Sequence, residues 1–136
     1  MQIRRYEDAD FDGLDALWRE AFPDDPPWNH AANAVPAKRA FQSELLFVAV
    51  EGADVLGSVM AGYDGHRGWL YAVAVRRSSR RRGLGDALVR RAEQALLALG
   101  CGKVNLQVRT SNEAVVRFYE RLGYAVEDRV SLGRRF

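Results

Sequence analysis

The sequence predicts a single α+β domain in which a mixed sheet of about seven strands carries four helices on both faces. Its 136 residues suit one domain, and their 48% hydrophobic and 28% charged content is ordinary for globular proteins. Apolar residues recur at helical spacing in four segments, and they alternate or run continuously in about seven others. The resulting order is βααβββαβαββ, without a repeat or a linker, so we treat residues 1–136 as one domain.

The first half of the chain is predicted to hold two helices and four strands. Asp8 is expected to cap a helix with an apolar stripe, and the prolines from Pro23 onward end it. A second helix is predicted from about Val35 to Ser43, with Pro36 in its first turn. The four predicted strands are Ile3 to Tyr6, Leu45 to Val50, Val55 to Tyr63 and Trp69 to Val75.

The second half is predicted to hold two helices and three short strands. An apolar helical face begins at Leu84, and Gly100 supplies the stop of this third helix. Thr110 and Glu113 have the spacing of a capping box, which predicts that the fourth helix begins there. The three predicted strands are Lys103 to Arg109, Tyr124 to Val126 and Val130 to Leu132.

Composition excludes several classes of protein. No apolar run reaches 18 residues, and the amino-terminal residues lack the apolar core of a signal peptide, so we expect a cytoplasmic protein without a membrane partner. A single cysteine cannot form an internal disulfide, and two scattered histidines make no metal motif, so no metal is expected. The net charge of only +2 argues against a nucleic-acid partner.

The segment from Trp69 to Leu88 predicts an anion site. An apolar strand ends at Val75, a loop with five arginines follows, and Gly83 and Gly85 open the next helix. Glycines at a helix N-terminus let phosphate approach unpaired backbone N–H groups and the positive end of the helix dipole. The loop lacks the Gly-Lys-Ser/Thr of a Walker loop and the third glycine of a dinucleotide fingerprint. The sequence therefore predicts a different phosphate-bearing ligand.

Two motifs resemble those of the GNAT N-acetyltransferase superfamily. Arg80-Arg81-Arg82-Gly83-Leu84-Gly85 is similar to the Gln/Arg-x-x-Gly-x-Gly/Ala signature that cradles the pyrophosphate of acetyl-CoA. The segment from Asn112 to Tyr124 is similar to the family's Asn-x-x-Ala-x-x-Phe-Tyr-x-x-x-Gly-Phe/Tyr pattern, with Val115 in place of the usual alanine. The chain looks like a small, single-domain bacterial member, for which the resemblance implies a twisted, mostly antiparallel sheet.

The resemblance implies that acetyl-CoA is the cosubstrate and that a primary amine is the acceptor. The pantetheine arm would pair with the backbone of Val73, Ala74 and Val75, at the end of a predicted strand. Asn112 would either hold a pantetheine amide or only begin its helix. Amides and guanidiniums of the loop would bind the phosphates, with Arg80 serving the turn more than the ligand. The loop residues are Arg80, Arg81, Arg82, Gly83, Leu84, Gly85, Asp86 and Ala87.

Tyr119 matches the tyrosine that protonates the departing thiolate in the family, although its ring can equally belong to the core. The acceptor would approach near Trp28 and Asn29. No general base is evident, because Trp69 stands where many relatives carry a glutamate. A water relay from Asp64, His66 or Glu44 is one alternative, and an acceptor with a low amine pKa is the other.

Two other classes of function compete with the enzyme. A non-catalytic acyl-CoA-binding or sensing domain would keep the phosphate loop but would not need Tyr119, so the tyrosine favours an acetyltransferase. A nucleic-acid-binding module would use the arginine loop, but it would have more positive charge and exposed aromatics between the basic residues. The acceptor remains open among a protein α-amine, a lysine and a small molecule, and the chain is expected to be a monomer or a homodimer.

Overall fold

The structure is a computed structural model that describes every residue from 1 to 136. The chain forms two compact units, Met1–Leu106 and Gln107–Phe136. The first unit contains five strands and three α-helices, whereas the second contains one α-helix. The elements are β1 (Gln2–Arg5), α1 (Phe11–Ala21), α2 (Ala31–Ala40), β2 (Leu46–Glu51), β3 (Asp54–Tyr63), β4 (Gly68–Val75), α3 (Leu84–Ala98), β5 (Val104–Asn105) and α4 (Glu113–Arg121).

The first unit is built on one sheet with the strand order β1-β2-β3-β4-β5. Neighbouring strands are antiparallel except for β4 and β5, which are parallel. The sheet is therefore mixed and mostly antiparallel, and with four α-helices in the chain the predicted α+β class is confirmed.

Helices cover both faces of this sheet, so β2 is buried on both sides. Val48 packs in a cluster with Leu14 of α1 and Val35 of α2. The adjacent Phe47 points to the opposite face, where the guanidinium carbon of Arg91 in α3 lies 4.5 Å from its ring centroid. A strand covered on both faces is continuously apolar, as the sequence of β2 is.

The number of strands is five, so the prediction of about seven is wrong. Residues 124–126 and 130–132 form no strand, and the predicted strand from Lys103 to Arg109 is reduced to Val104–Asn105. A short apolar alternation makes a strand only where a neighbour supplies ladder hydrogen bonds and a face to bury. Val126, Val130 and Leu132 are instead 77–92% exposed.

Three helix starts differ from the sequence predictions. The first is preceded by a 3-10 turn, in which the Asp10 carboxylate accepts the Glu7 N–H at 2.8 Å, so Asp8 does not cap α1. The second begins at Ala31, which places Pro36 inside it. The fourth has Asn112 rather than Thr110 at its N-cap and no side-chain cap bond. None of the four helices is long and apolar enough to cross a membrane.

A β-bulge interrupts β4. Ser58 and Met60 of β3 pair with Ala74 and Tyr71 of β4, so two steps along β3 correspond to three along β4. The extra residue of the bulge is one of Ala72 and Val73, which have no partner in this register. Ala72 has a φ of +51°, which is rare for a residue with a side chain. The bulge bends β4 just before the arginine loop. It also removes Ala72 and Val73 from the regular pairing with β3.

Candidate functional site

The N-terminus of α3 has the geometry of an anion site. Gly83 is its N-cap, with φ +74° and no side-chain cap bond. The first intrahelical bond runs from the Ala87 N–H to the Gly83 carbonyl at 3.0 Å, so the amides of Leu84, Gly85 and Asp86 have no partner within the helix. A Cβ built at Gly83 meets nothing within 4 Å, so the space beside this N-cap residue is open. The predicted phosphate-binding residues therefore lie together at one helix end.

The five arginines of the loop divide into two groups. Arg76 Nε donates to the Val55 carbonyl at 2.9 Å, which ties the loop to the sheet. Arg82 pairs with Glu51 at 3.0 Å. Arg77, Arg80 and Arg81 are exposed and make no ion pair, and Arg81 has φ +66°. Of these three unpaired guanidiniums, those of Arg80 and Arg81 belong to the motif that precedes Gly83 and remain available for an anionic ligand.

Asp86 lies in the first turn of α3, where its negative charge would oppose a bound anion. Its carboxylate accepts a hydrogen bond from Arg90 Nε, one turn further along the helix, at 2.8 Å. This i,i+4 pair offsets the charge of the carboxylate at the helix end. The Asp86 backbone amide remains the group that an anion can use.

The end of β4 presents backbone groups along one edge. On one side this strand pairs with β3, but on the other side β5 pairs only with Gly68 and Trp69. The predicted pantetheine contacts Val73, Ala74 and Val75 lie beyond this short parallel pairing. An extended chain can bind such an edge through main-chain hydrogen bonds.

The predicted residues of the second unit lie on α4. Asn112 is the N-cap residue, and Tyr119 lies two turns further along the helix. The Tyr119 ring makes edge-to-face contacts with Phe118 and Tyr124, at centroid distances of 5.0 and 5.7 Å. Only 8% of Tyr119 is exposed, and burial raises the pKa of its phenol to about 12. The side chain is thus packed as a core aromatic and stays protonated at physiological pH.

A cavity of about 310 Å³ lies between α1 and the segment that leads into α2. A hydrogen bond holds this segment to α2, since Asn33 Nδ2 donates to the Pro27 carbonyl at 2.7 Å. Of the two predicted acceptor-site residues, Asn29 lines the cavity, whereas Trp28 does not and is half exposed. The lining is Asp15, Trp18, Arg19, Phe22, Pro23, Asp25, Asn29, His30 and Ala31.

Asp64 is bound into the turn between β3 and β4. Its Oδ1 accepts the backbone N–H groups of Arg67 at 2.8 Å and His66 at 2.7 Å, and these bonds lower the pKa of the carboxyl. A carboxylate of lowered pKa is a weaker base, so this geometry disfavours Asp64 as the start of a proton relay. No group of three or more His, Cys, Asp or Glu side chains is placed to hold a metal ion.

Sequence reasoning missed Ser58, a fully buried polar residue in the middle of β3. Its hydroxyl lies between Trp18 and the backbone of β4. The signal was present, because a single serine within an apolar strand must find hydrogen-bond partners in the core.

Comparison with known protein families gives a match over most of the chain. The model of the acetyltransferase (GNAT) family matches residues 11–124. An acetyltransferase of Yersinia enterocolitica is 41% identical over 137 aligned positions, which cover 99% of this chain and 95% of the relative.

Solved structures show the same fold at lower identity. The PaiA N-acetyltransferase of Thermoplasma acidophilum, in complex with coenzyme A, has a TM-score of 0.82 at 18% identity, covering 95% of this chain and 92% of the other. AAC(6')-Iy, in complex with the bisubstrate analogue CoA-S-monomethyl-acetylneamine, has a TM-score of 0.78 at 19% identity, covering 99% and 97%.

Proposed function

Since this chain belongs to the GNAT acetyltransferase family and is an acyltransferase, we propose that it transfers an acetyl group from acetyl-CoA to a primary amine. The amine nitrogen attacks the thioester carbon directly in a ternary complex, the C–S bond breaks, and the amine loses a proton to water or to a base. The products are an acetamide and coenzyme A. Because the family match runs across both compact units, we treat residues 1–136 as one acetyltransferase domain.

The observation that carries this proposal is the start of α3 at Gly83. Three amides without helical partners, the positive end of a 15-residue helix and the unpaired Arg80 and Arg81 all favour a pyrophosphate. Coenzyme A carries a pyrophosphate and a 3′-phosphate, so the helix end and the two guanidiniums match its charged half. The related PaiA N-acetyltransferase in complex with coenzyme A supports the same ligand here.

The backbone of β4 would hold the reactive half of the cosubstrate. The pantetheine arm would lie along Val73, Ala74 and Val75 and continue the sheet. The amide of Val73 lies at the bulge, where it can bind the thioester carbonyl oxygen. Negative charge develops on this oxygen as the amine attacks, so an oriented N–H donor stabilises the transition state more than the ground state.

We assign Tyr119 as the general acid that protonates the thiolate of coenzyme A, with Asn112 as a pantetheine contact. The motif resemblance supports this role, and the raised pKa keeps the required proton on the phenol. The same value makes the phenol a weak acid toward a thiolate whose conjugate acid has a pKa near 8.5. Proton transfer would therefore accompany C–S cleavage, when the sulfur is most basic.

The acceptor is expected to enter through the cavity beside α1, where Asp15 is paired with Arg19 at 3.0 Å. With Asp25 the lining holds two aspartates against one arginine, and this excess of negative charge favours a cationic amine. An amine must lose its proton before it attacks. For a lysine this costs about 4 kcal/mol at pH 7.4, against about 0.8 kcal/mol for a protein α-amine. With Asp64 bound into its turn, an amine of low pKa is the acceptor that needs least help from the protein.

The test is release of thiol from acetyl-CoA with a panel of amines, followed by mass spectrometry of the products. The panel comprises peptides with a free α-amine, α-blocked lysine peptides, polyamines and amino acids. We expect acetylated product with at least one class and a rate that depends on both substrates. Hydrolysis of acetyl-CoA without any acetylated amine, or no binding of acetyl-CoA, would contradict the proposal.

A further inference from the structure

A chain of hydrogen bonds connects helix α1 to the bulge of β4. Trp18 Nε1 donates to Ser58 Oγ at 2.9 Å, and Ser58 Oγ donates to the Ala72 carbonyl at 2.8 Å. An indole N–H can only donate, so the single hydroxyl proton of Ser58 is directed to the carbonyl. Trp18 is 5% exposed and Ser58 is fully buried, so water does not compete for these bonds. The three residues are called the Trp18 relay below.

The relay fixes the orientation of one peptide plane. Ala72 C=O and Val73 N–H belong to the same peptide, which is planar and trans. Because the Ser58 hydroxyl holds the carbonyl, the Val73 N–H points the opposite way, away from that hydroxyl. Neither Ala72 nor Val73 has a partner in the register with β3, so the regular ladder does not set this orientation. The hydroxyl of Ser58 replaces the missing ladder contact.

From this geometry we propose that Trp18 and Ser58 are positioning residues for acetyl transfer, acting through the Ala72–Val73 peptide on the thioester carbonyl of acetyl-CoA. This inference rests on the proposed function. Ala72 has φ +51°, a conformation that a residue with a side chain adopts only when its surroundings impose it. Ser58 imposes it from the neighbouring strand, and Trp18 prevents the hydroxyl from turning elsewhere.

The role is chemically specific, because the Val73 N–H would contact only the acetyl carbonyl. Coenzyme A and acetyl-CoA differ only in the acetyl group on sulfur, so the rest of the binding path is common to both. A disturbed peptide at the bulge should therefore weaken acetyl-CoA and slow transfer but leave coenzyme A affected little. A loss of stability alone would change both ligands alike.

The experiment compares wild type with Ser58→Ala, Trp18→Phe and the double variant. Trp18→Phe keeps an aromatic ring but removes the N–H donor together with part of the ring volume, and it serves if Ser58→Ala does not fold. Val35→Ala is the control for lost packing volume, since it removes two methyl groups from the cluster that contains Trp18 but no hydrogen-bonding group of the relay. Melting temperature, the dissociation constants of coenzyme A and acetyl-CoA, and kcat are measured for each protein. The carbonyl stretch of bound [1-¹³C]acetyl-CoA is measured by infrared difference spectroscopy.

For Ser58→Ala we expect kcat to fall by about 10- to 100-fold, less than the 10²–10³ known for complete loss of an oxyanion donor. Acetyl-CoA should bind several-fold more weakly and coenzyme A about as in wild type, while the carbonyl stretch moves toward its value in water. Trp18→Phe should change kcat, the affinity for acetyl-CoA and the carbonyl stretch in the same directions but by smaller amounts. The double variant should resemble Ser58→Ala, because Trp18 acts through Ser58 and the two effects are not additive. Val35→Ala should lower only the melting temperature.

Equal weakening of both ligands by Ser58→Ala, or an unchanged carbonyl stretch in both single variants, would overturn the inference. Additive effects in the double variant would do the same. The dissociation constants and the carbonyl stretch need no acceptor, so they test the relay separately from the proposed amine transfer. If wild type binds acetyl-CoA and acetylates an amine but the variants behave like Val35→Ala, the relay is wrong and the function stands. If wild type does not bind acetyl-CoA, the proposed function itself has failed.

Discussion

The carbonyl of Gly83 accepts the N–H of Ala87 at 3.0 Å, and this bond starts helix α3 directly after the arginine loop. It leaves the three intervening amides at the helix end, where Gly83 has a positive φ and no side chain to cap them. A side-chain cap would compete with a ligand for these donors. The relationship between these two residues therefore converts an ordinary helix start into a site suited to a phosphate.

The first prediction is that acetyl-CoA stabilises the fold through this helix end. Ligand at about 100 times its dissociation constant should add roughly 2.7 kcal/mol to the free energy of unfolding. Gly85→Glu places a carboxylate among the three amides and should abolish the thermal shift. Gly102→Glu is the matched control: it adds the same charge beyond the other end of α3, where a Cβ meets nothing within 4 Å. A full thermal shift in Gly85→Glu would contradict the assignment.

A second prediction concerns the unpaired guanidiniums of Arg80 and Arg81. Replacing both with alanine should weaken acetyl-CoA by about 10-fold or more at low salt and reduce the dependence of its affinity on salt, because two screened charge contacts are lost. Arg77→Ala is the control, since it is the backbone N–H of Arg77 that binds Glu20. Isothermal titration at several salt concentrations tests this. Equal effects of Arg77→Ala and the double variant would mean that the loop acts only through its net charge.

A third prediction concerns acid stability. Burial opposes ionisation of Asp10, but two hydrogen bonds from Arg4 at 2.8 and 2.9 Å and the Glu7 N–H outweigh it and lower the pKa of the carboxyl. A lowered pKa stabilises the fold above the unfolded value near 3.8, and this contribution is lost as pH falls through the folded value. Asp10→Asn should cost about 1–3 kcal/mol at pH 7.

Urea unfolding of Asp10→Asn and wild type at pH 7 and below pH 3 tests this prediction. The difference between the two proteins should narrow as pH falls through the lowered pKa of Asp10, because wild type then also carries a neutral side chain. Asp12→Asn, in the first turn of α1 and without an ion pair, is the control and should show little difference at either pH. If the difference in the free energy of unfolding between Asp10→Asn and wild type does not change with pH, the lost stability comes from packing and not from the charge of Asp10.

Sequence reasoning predicted the start of α3 in the candidate site, because that feature depends on local chain signals. The glycines at 83 and 85 and the arginines of the loop are adjacent in sequence, and helix α3 begins where they predict. The predicted start of α4 was wrong, because a backbone hydrogen bond closes the turn before the helix. The Asn112 N–H donates to the Arg109 carbonyl at 2.8 Å. With that bond in place, Thr110 lies in a turn and contributes no cap, so Thr110→Ala should be close to neutral.

Other features could not be predicted because they arise between distant segments. The bulge at Ala72 depends on β3 as the partner, and no residue of β4 signals it, since Ala72 is neither glycine nor polar. The inward path of Arg76 depends on the Val55 carbonyl, 21 residues earlier in the chain. The two strands predicted at 124–126 and 130–132 were wrong for the opposite reason. Their apolar residues alternate, but no neighbouring strand pairs with them. Long-range pairing, not local pattern, decided each of these cases.

The final prediction concerns Tyr119 as the general acid. Tyr119→Phe keeps the ring and its edge-to-face contacts with Phe118 and Tyr124, so the fold should persist. Loss of the proton donor should lower kcat by about 10²- to 10⁴-fold with little change in the affinity for acetyl-CoA. The effect should shrink with a thioester whose leaving thiol is more acidic, because that thiolate needs less help. A purely structural role predicts nearly unchanged turnover, since phenylalanine fills almost the same volume.

The pH dependence separates this role from that of an ordinary tyrosine. A pKa of about 12 keeps the phenol protonated, so kcat/KM should rise with deprotonation of the acceptor amine and show no decline up to about pH 10.5. An acid with the usual tyrosine pKa near 10 would begin to lose activity in that range. In Tyr119→Phe the rising limb should remain at the same pH, because it belongs to the amine, while the whole curve is lowered. A wild-type decline near pH 10, or a shifted rising limb in Tyr119→Phe, would argue against Tyr119 as the buried proton donor.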